Sequence, residues 1–168
     1  MKAAVRPERY TNLQLLLHWL VAALVAFQYL FNEGIMASWH FYAHGDAATP
    51  EDFSGANLHV LVGLTVLLLA IVRLAVRISH GTPAAPQGEP RPLRILATAT
   101  HHLLYLLIFL VPLSGAMAWF FVIERAATGH NLTKALLLAV VLVHIAGALV
   151  QAVVFRSNVF SRMLPSRR

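Results

Sequence analysis

Four uninterrupted apolar runs constrain this chain more than anything else in it. Leu13–Phe31 is uncharged over nineteen residues, and Leu58–Val76 is broken only by Arg73. Ile95–Ile123 is uncharged over twenty-nine residues and Ala135–Phe155 over twenty-one. At 1.5 Å per residue each run is long enough to cross a hydrocarbon core about 30 Å thick. Backbone amides have no water to bond there, so each run must satisfy them internally, as a helix. Four such helices account for most of 168 residues. The expectation is an all-α membrane protein with one domain over 1–168. It is a four-transmembrane-helix up-down-up-down bundle with helices at about 11–31, 57–77, 95–122 and 132–155.

Composition agrees, since 12% of residues are charged against about 25% in soluble domains. The N-terminal run is longer than a signal-peptide core, contains His18 and lacks an A-x-A cleavage site, so it is read as a retained first helix. Eleven of the thirteen basic residues fall at the two termini and in the second connection, leaving only Arg125 and Lys134 for the other side. The positive-inside rule then makes both termini cytoplasmic. The formal charge of +6 reports topology and contact with anionic membrane lipid, and no basic–aromatic stretch points to nucleic acid. The first connection (32–57) is polar and acidic and is read as a loop. The second, HGTPAAPQGEPRP, is read as extended and mobile. The third, around ERAATGHN, is short and makes helices three and four antiparallel neighbours.

Nine histidines are present. His40, His44 and His80 fall in polar connections and read as solvated. His18, His59, His101, His102, His130 and His144 lie in or at the edge of the spans, where ionisable groups are costly and point to function. His130 and His144 are fourteen residues apart, which in a helix is about 21 Å of rise and a return to within about 40° of the same face. Two imidazoles stacked on one inward face can each give one axial ligand to a separate haem iron. Each iron then needs a second ligand at matching depth. His59 lies level with His130. For His144 the depth fits both His18 and His101, and helix rise leaves that choice open. His102 is rotated about 100° from His101 and points elsewhere.

Gly63 and Gly147 follow His59 and His144 by one turn, leaving room beside each ring for a flat macrocycle. Arg73 either neutralises a haem propionate or snorkels to the headgroups, and snorkelling is the simpler expectation. Trp19, Trp39 and Trp119 read as interfacial anchors or packing residues. There is no cysteine, so neither a disulfide nor covalent haem attachment through CxxCH is possible. Bis-imidazole ligation fills both axial positions, which suits one-electron transfer rather than activation of a substrate at the metal.

Several stretches resemble the bacterial cytochrome b561 family of di-haem membrane cytochromes: RYTNLQLLLHW (9–19), HVLVGLTVLLLAIVRLAVR (59–77), HHLLYLLIFLVPLSG (101–115), and VHIAGAL with the closing FSRMLPSRR. The resemblance spans nearly the whole chain and lies in the order and spacing of these short motifs. It implies a multi-pass protein of the bacterial inner membrane carrying two haem b. By analogy with related four-helix cytochrome subunits, it implies the pairs His59–His130 and His18–His144. It leaves His101 as a residue near the haem or the quinone, with ligation still open to it. It further implies electron exchange between the membrane ubiquinone pool and a periplasmic donor, either superoxide or a periplasmic redox protein. Superoxide:ubiquinone oxidoreductase activity is the sharpest form of that expectation. Polar candidates for the quinone are Gln14, Arg94, His101 and Gln151. The competing readings are a haem b subunit of a larger dehydrogenase or hydrogenase, and a haem-free proton or ion transporter. No Asp or Glu lies inside the spans, which counts against the transporter.

Overall fold

The structure is a computed structural model that describes residue 7 and residues 9–85, 89–159 and 161–164. Lys2, Arg6, Arg167 and Arg168, used above for orientation, lie outside those residues, as do linker positions 86–88 and tail positions 160 and 165–166. Five α-helices are described: α1 Asn12–Leu30, α2 Glu33–His44, α3 Pro50–His80, α4 Arg91–Phe121 and α5 Glu124–Val153. No strand is found among the described residues. Four of the helices, α1, α3, α4 and α5, are long and apolar enough to cross a membrane.

Each start has a local cause. Thr11 caps α1 in a capping box: its side chain accepts from the Gln14 amide at 3.2 Å, and Gln14 Oε1 accepts from the Thr11 amide at 2.9 Å. Thr49 and Asp52 form the same box on α3, with Pro50 in its first turn. This reciprocal capping, together with Pro in the first turn, begins α3 seven residues before the expected position of 57. Helix α5 likewise begins eight residues before the expected position. The stretch read as a third loop is helical, and only Val122 (φ 51°) and Ile123 separate α4 from α5.

The first connection is not a simple loop, because Glu33–His44 forms α2. Its sequence lacks an apolar run of spanning length, which is why hydropathy passed over it. It folds back on α3 through two glycines: a Cβ on Gly34 would lie 2.8 Å from the Asp52 carbonyl and 2.9 Å from the Gly55 Cα. Ser38 and Ala56, both 0% exposed, fill the rest of that contact. Gly45, in the left-handed region at φ 78°, ends the helix.

The spans form a ring in which α3 packs on both α1 and α4, and α4 packs on α5. Tyr29 Oη donates to the Lys134 carbonyl and ties α1 to α5 across the remaining side. Leu107, Leu137 and Val140 form the buried centre between α4 and α5, backed by Val25, Leu103 and Val111. Leu16, Leu61, Leu68 and Leu142 face outward, as the lipid-facing surface of a membrane bundle requires.

The first turns of α1, the segment 161–164 and the α3–α4 linker meet at the end of the bundle opposite α2. There Gln14 Nε2 donates to the Gly81 carbonyl at 2.9 Å, Arg162 Nη1 to the Ala84 carbonyl at 2.9 Å, and Trp19 Nε1 to the Met163 carbonyl at 2.9 Å. The linker residues at 81, 84 and 89 are therefore hydrogen-bonded to the bundle, which corrects the expectation of a free tether.

Candidate functional site

Imidazoles meet at two levels of the bundle. At the α2 end, the rings of His59 on α3 and His130 on α5 face each other with centroids 6.4 Å apart and planes at 79°. Toward the other end, His18 on α1 and His144 on α5 are also 6.4 Å apart, with planes at 67°. His101 on α4 approaches His144 more closely, at 5.1 Å. His102 bonds its own Thr98 carbonyl and is exposed. The α5 pair does project from one face, as fourteen residues of helix dictate.

The α2-end pair sits in a cavity of about 230 Å³ whose lining is largely apolar. Trp39 and Met36 of α2 line one side, Gly63 the α3 wall, and Pro112 and Gly115 the α4 wall. Helix α2 thus covers the cavity that holds the His59–His130 pair, a placement its sequence did not advertise. Pro112 has no N–H to complete the helical bond to its preceding turn. Gly115 presents no side chain where the His130 ring lies: a Cβ there would be 3.0 Å from His130 Nδ1 and Cε1. In that position His130 Nδ1 lies 2.9 Å from the Val111 carbonyl. A carbonyl only accepts, so Nδ1 carries the proton and Nε2 is left as the free electron-pair donor, the usual arrangement of a metal-binding histidine.

Gln28 is a further polar residue of this cavity. Its Nε2 donates to the His59 carbonyl at 2.9 Å. Gln28 Oε1 and His59 Nδ1 are both buried with no hydrogen-bond partner among the described residues. Gln28 lies within the uncharged run Leu13–Phe31, where a polar side chain is a readable signal, and it was not among the candidate residues. Gly63 has the Gln28 amide 3.2 Å from its missing Cβ, while Gly147 has nothing within 4 Å.

At the opposite level, Arg73 Nη2 lies 2.8 Å from His18 Nδ1, and its guanidinium stands over the Tyr105 ring at 5.6 Å. Arg77 approaches the same ring at 5.4 Å. Arg73 therefore turns inward instead of snorkelling to the headgroups. The interior position is stabilised by the imidazole acceptor and by a cation–π contact. His101 Nδ1 lies 2.7 Å from the Ala97 carbonyl, the donor geometry also seen at His130.

The quinone candidates divide. Gln14 has both amide atoms engaged, in the α1 cap and on Gly81. Gln151 Nε2 donates to Glu89 Oε1 at 2.6 Å, and its Oε1 accepts from Ser157 at 3.0 Å. Arg94 Nε is 4.0 Å from Glu89 Oε2. The structure thus brings Arg94 and Gln151 together around a residue that was not a candidate, Glu89. His44 is an exposed residue of α2 outside the lining of the α2-end cavity, whereas His40, also exposed and 3.7 Å from Asp46, lines that cavity together with His59 and His130.

Imidazole bound to a metal through nitrogen at about 2.0 Å has its ring centroid about 3.1–3.2 Å from the metal, so two opposed imidazoles on one iron stand about 6.3 Å apart. Both 6.4 Å pairs fit that spacing. No group of three or more His, Cys, Asp or Glu suited to a metal ion occurs among the described residues, and a bis-histidine haem needs only two protein ligands. A four-span bundle with opposed imidazole pairs inside it has the build of a membrane cytochrome.

Sequence comparison gives the same class a name. The family described as prokaryotic cytochrome b561 matches residues 9–166. The chain belongs to that family, and is a multi-pass inner-membrane protein of electron transfer in a family that carries haem b. Among its relatives is a protein of Cereibacter sphaeroides named cytochrome b562, 36% identical over 158 residues that cover 94% of this chain and 96% of that protein. Another, named probable superoxide oxidase CybB, comes from Yersinia pestis and is 27% identical over 183 residues, covering 96% and 98%.

Proposed function

We propose that this chain is a di-haem b electron carrier that moves electrons across the membrane between a periplasmic donor and the quinone pool. His59 and His130 would hold the haem at the α2 end, and His18 and His144 the second. The observation that carries the reading is the equal 6.4 Å spacing of the two histidine pairs on different helices. The His101 ring lies closer to His144, at 5.1 Å, and does not share the 6.4 Å spacing of the two matched pairs. That supports His18 as the partner that would hold the second haem with His144. Haem b would supply the one-electron chemistry.

The chain's own residues then do three things. They orient the His130 imidazole, through Val111; at His18 the Arg73 contact to Nδ1 leaves the proton on Nε2, so ligation through Nε2 would require Arg73 to release that ring. They exclude water, through α2 and the apolar lining. They keep the two sites about 21 Å apart along α5, so that electrons cross much of the hydrocarbon thickness within the bundle. The basic residues at the termini and linker favour that end as cytoplasmic, which puts α2 on the periplasmic side.

Superoxide as the donor has its own support. A relative carries the name probable superoxide oxidase, and Lys134 lines the α2-end cavity one turn beyond His130. A fixed cation beside the entry point favours an anionic donor.

The test is a reduced-minus-oxidised visible spectrum with a haem count per chain, on the wild type and on His144→Ala. The proposal expects a b-type α band and two haems in the wild type, and one in the variant. A variant that keeps both haems would reject the ligand assignment. A wild type without haem under full haem supply would return the histidines to proton or ion transport. Superoxide-dependent quinone reduction then decides the donor.

A further inference from the structure

Helices α4 and α5 run antiparallel, and their polar residues share a spacing. Arg94 precedes His101 by seven residues on α4, and Gln151 follows His144 by seven on α5. Seven residues return a helix to within about 20° of the same face after about 10 Å of rise. The two pairs therefore form two levels on facing surfaces. One is His101 and His144, with ring centroids 5.1 Å apart. The other, about 10 Å nearer the helix ends, is Arg94 and Gln151.

Between Arg94 and Gln151 stands Glu89, delivered by the linker. Its side chain is 6% exposed. Oε1 accepts from Gln151 Nε2 at 2.6 Å, and Oε2 lies 4.0 Å from Arg94 Nε. A carboxylate removed from water is costly unless it is well paired. Among the described residues its close cation is half-exposed Arg94, whose Nε is held at the outer limit of an ion pair and whose Nη2 donates to the Glu89 carbonyl at 3.5 Å. Arg91 opens α4 two residues further on, and Arg162 is bonded to the Ala84 carbonyl. Gln151 completes the contacts, with Ser157 bonded behind it, and neither of these ionises. Glu89 is thus the one acidic group, among the described residues, on the polar ladder that leads from the histidine level to the aqueous end.

We propose that Glu89 handles the protons of quinone turnover. The inference rests on the quinone reading above. Reducing a quinone to a quinol takes two electrons, supplied one at a time by haem b, and two protons, one for each carbonyl oxygen as it becomes a hydroxyl. Haem transfers no proton, and Gln151 and Arg94 have none to exchange at neutral pH. Glu89 takes each proton from water at the helix ends and passes it toward the His101 level. Quinol oxidation runs the same steps in reverse.

The test compares two oxidants of the reduced, purified protein: a short-chain ubiquinone, which must take up protons, and ferricyanide, which need not. Glu89→Gln keeps the volume and the bond to Gln151 while removing the ionisation. The expected result is at least a tenfold slower reoxidation by ubiquinone, unchanged reoxidation by ferricyanide, and loss of one ionisation from the pH profile of the quinone rate. Haem content and midpoint potentials should match the wild type. Glu89→Asp, which still ionises, should recover most of the quinone rate with a displaced profile. It also serves as the deciding variant if Glu89→Gln does not assemble. A Glu89→Gln protein, or failing that a Glu89→Asp protein, with the wild-type rate and pH profile would overturn the proposal. A wild type that carries haem and reacts with ferricyanide but not with ubiquinone would overturn the quinone reading, and this proposal with it.

Discussion

Gly115→Ala is the substitution that most directly probes how the α2-end pair is built. The new methyl would stand 3.0 Å from two atoms of the His130 ring, where real Cβ contacts are rarely shorter than 3.4 Å. The ring must retreat by a few tenths of an ångström, and its Nδ1 bond to Val111, now 2.9 Å, lengthens or tilts with it. Overpacking of this kind costs about 1–3 kcal/mol. At 1.4 kcal/mol per tenfold, that is roughly a five- to 150-fold loss of affinity for whatever His130 binds. The range overlaps the 10–100-fold effect of disturbing a metal ligand's hydrogen-bonded partner. The measurement is haem per chain at graded haem supply, with low-temperature spectra to separate the two sites. One site should empty first in the variant while the other fills as in the wild type. Gly129→Ala is the control, because nothing lies within 4 Å of its added methyl. If Gly115→Ala fills both sites at the wild-type haem concentration, then the glycine does not set the position of His130 and the α4 wall has been misread.

Two further expectations concern the frame around the sites. Gly34→Ala drives a methyl against backbone at 2.8 and 2.9 Å, which cannot give way as a side-chain tip can. The helix α2 should lift from α3, and limited proteolysis should cut between residues 44 and 50 faster in the variant. Leu107→Ala, at a site 1% exposed, should destabilise the α4–α5 contact by about 2–5 kcal/mol, read as a lower unfolding temperature in detergent with the haem spectrum unchanged below the transition.

The four spans and the register of the α5 histidines were legible in the sequence because hydropathy and helical rotation are properties of one segment at a time. The capping box at Thr49–Asp52 was legible too, and would have placed the start of α3 correctly had hydropathy not been followed first. What could not be read was anything set by two segments together. Helix α2 packs through Gly34 on Gly55 twenty-one residues later, and neither glycine announces the other. Arg73 looks like an interfacial cation along its own helix, and only the position of α1 gives it His18 as an acceptor. Glu89 lay in a Pro-rich connection, where a carboxylate is ordinarily solvated, and its burial depends on Gln151 sixty-two residues away. His18 and His101 were equivalent by depth, and it is the lateral placement of α1 and α4 around α5 that gives their rings different distances from His144.

The two histidines of α5 also govern which changes of length this helix can absorb. Thirteen residues separate them, and nearly all are apolar and lipid- or core-facing, so their identities can drift as long as bulk and hydropathy are kept. Their number cannot. Adding or deleting one residue anywhere from Asn131 to Val143 turns one imidazole by about 100° relative to the other, so that at most one can still face its partner helix. The segment should therefore tolerate apolar exchange at its lipid-facing positions, though not at buried Leu137 and Val140, and insertion or deletion not at all. The linker between α3 and α4, by contrast, can change length wherever Gly81, Ala84 and Glu89 keep their bonds.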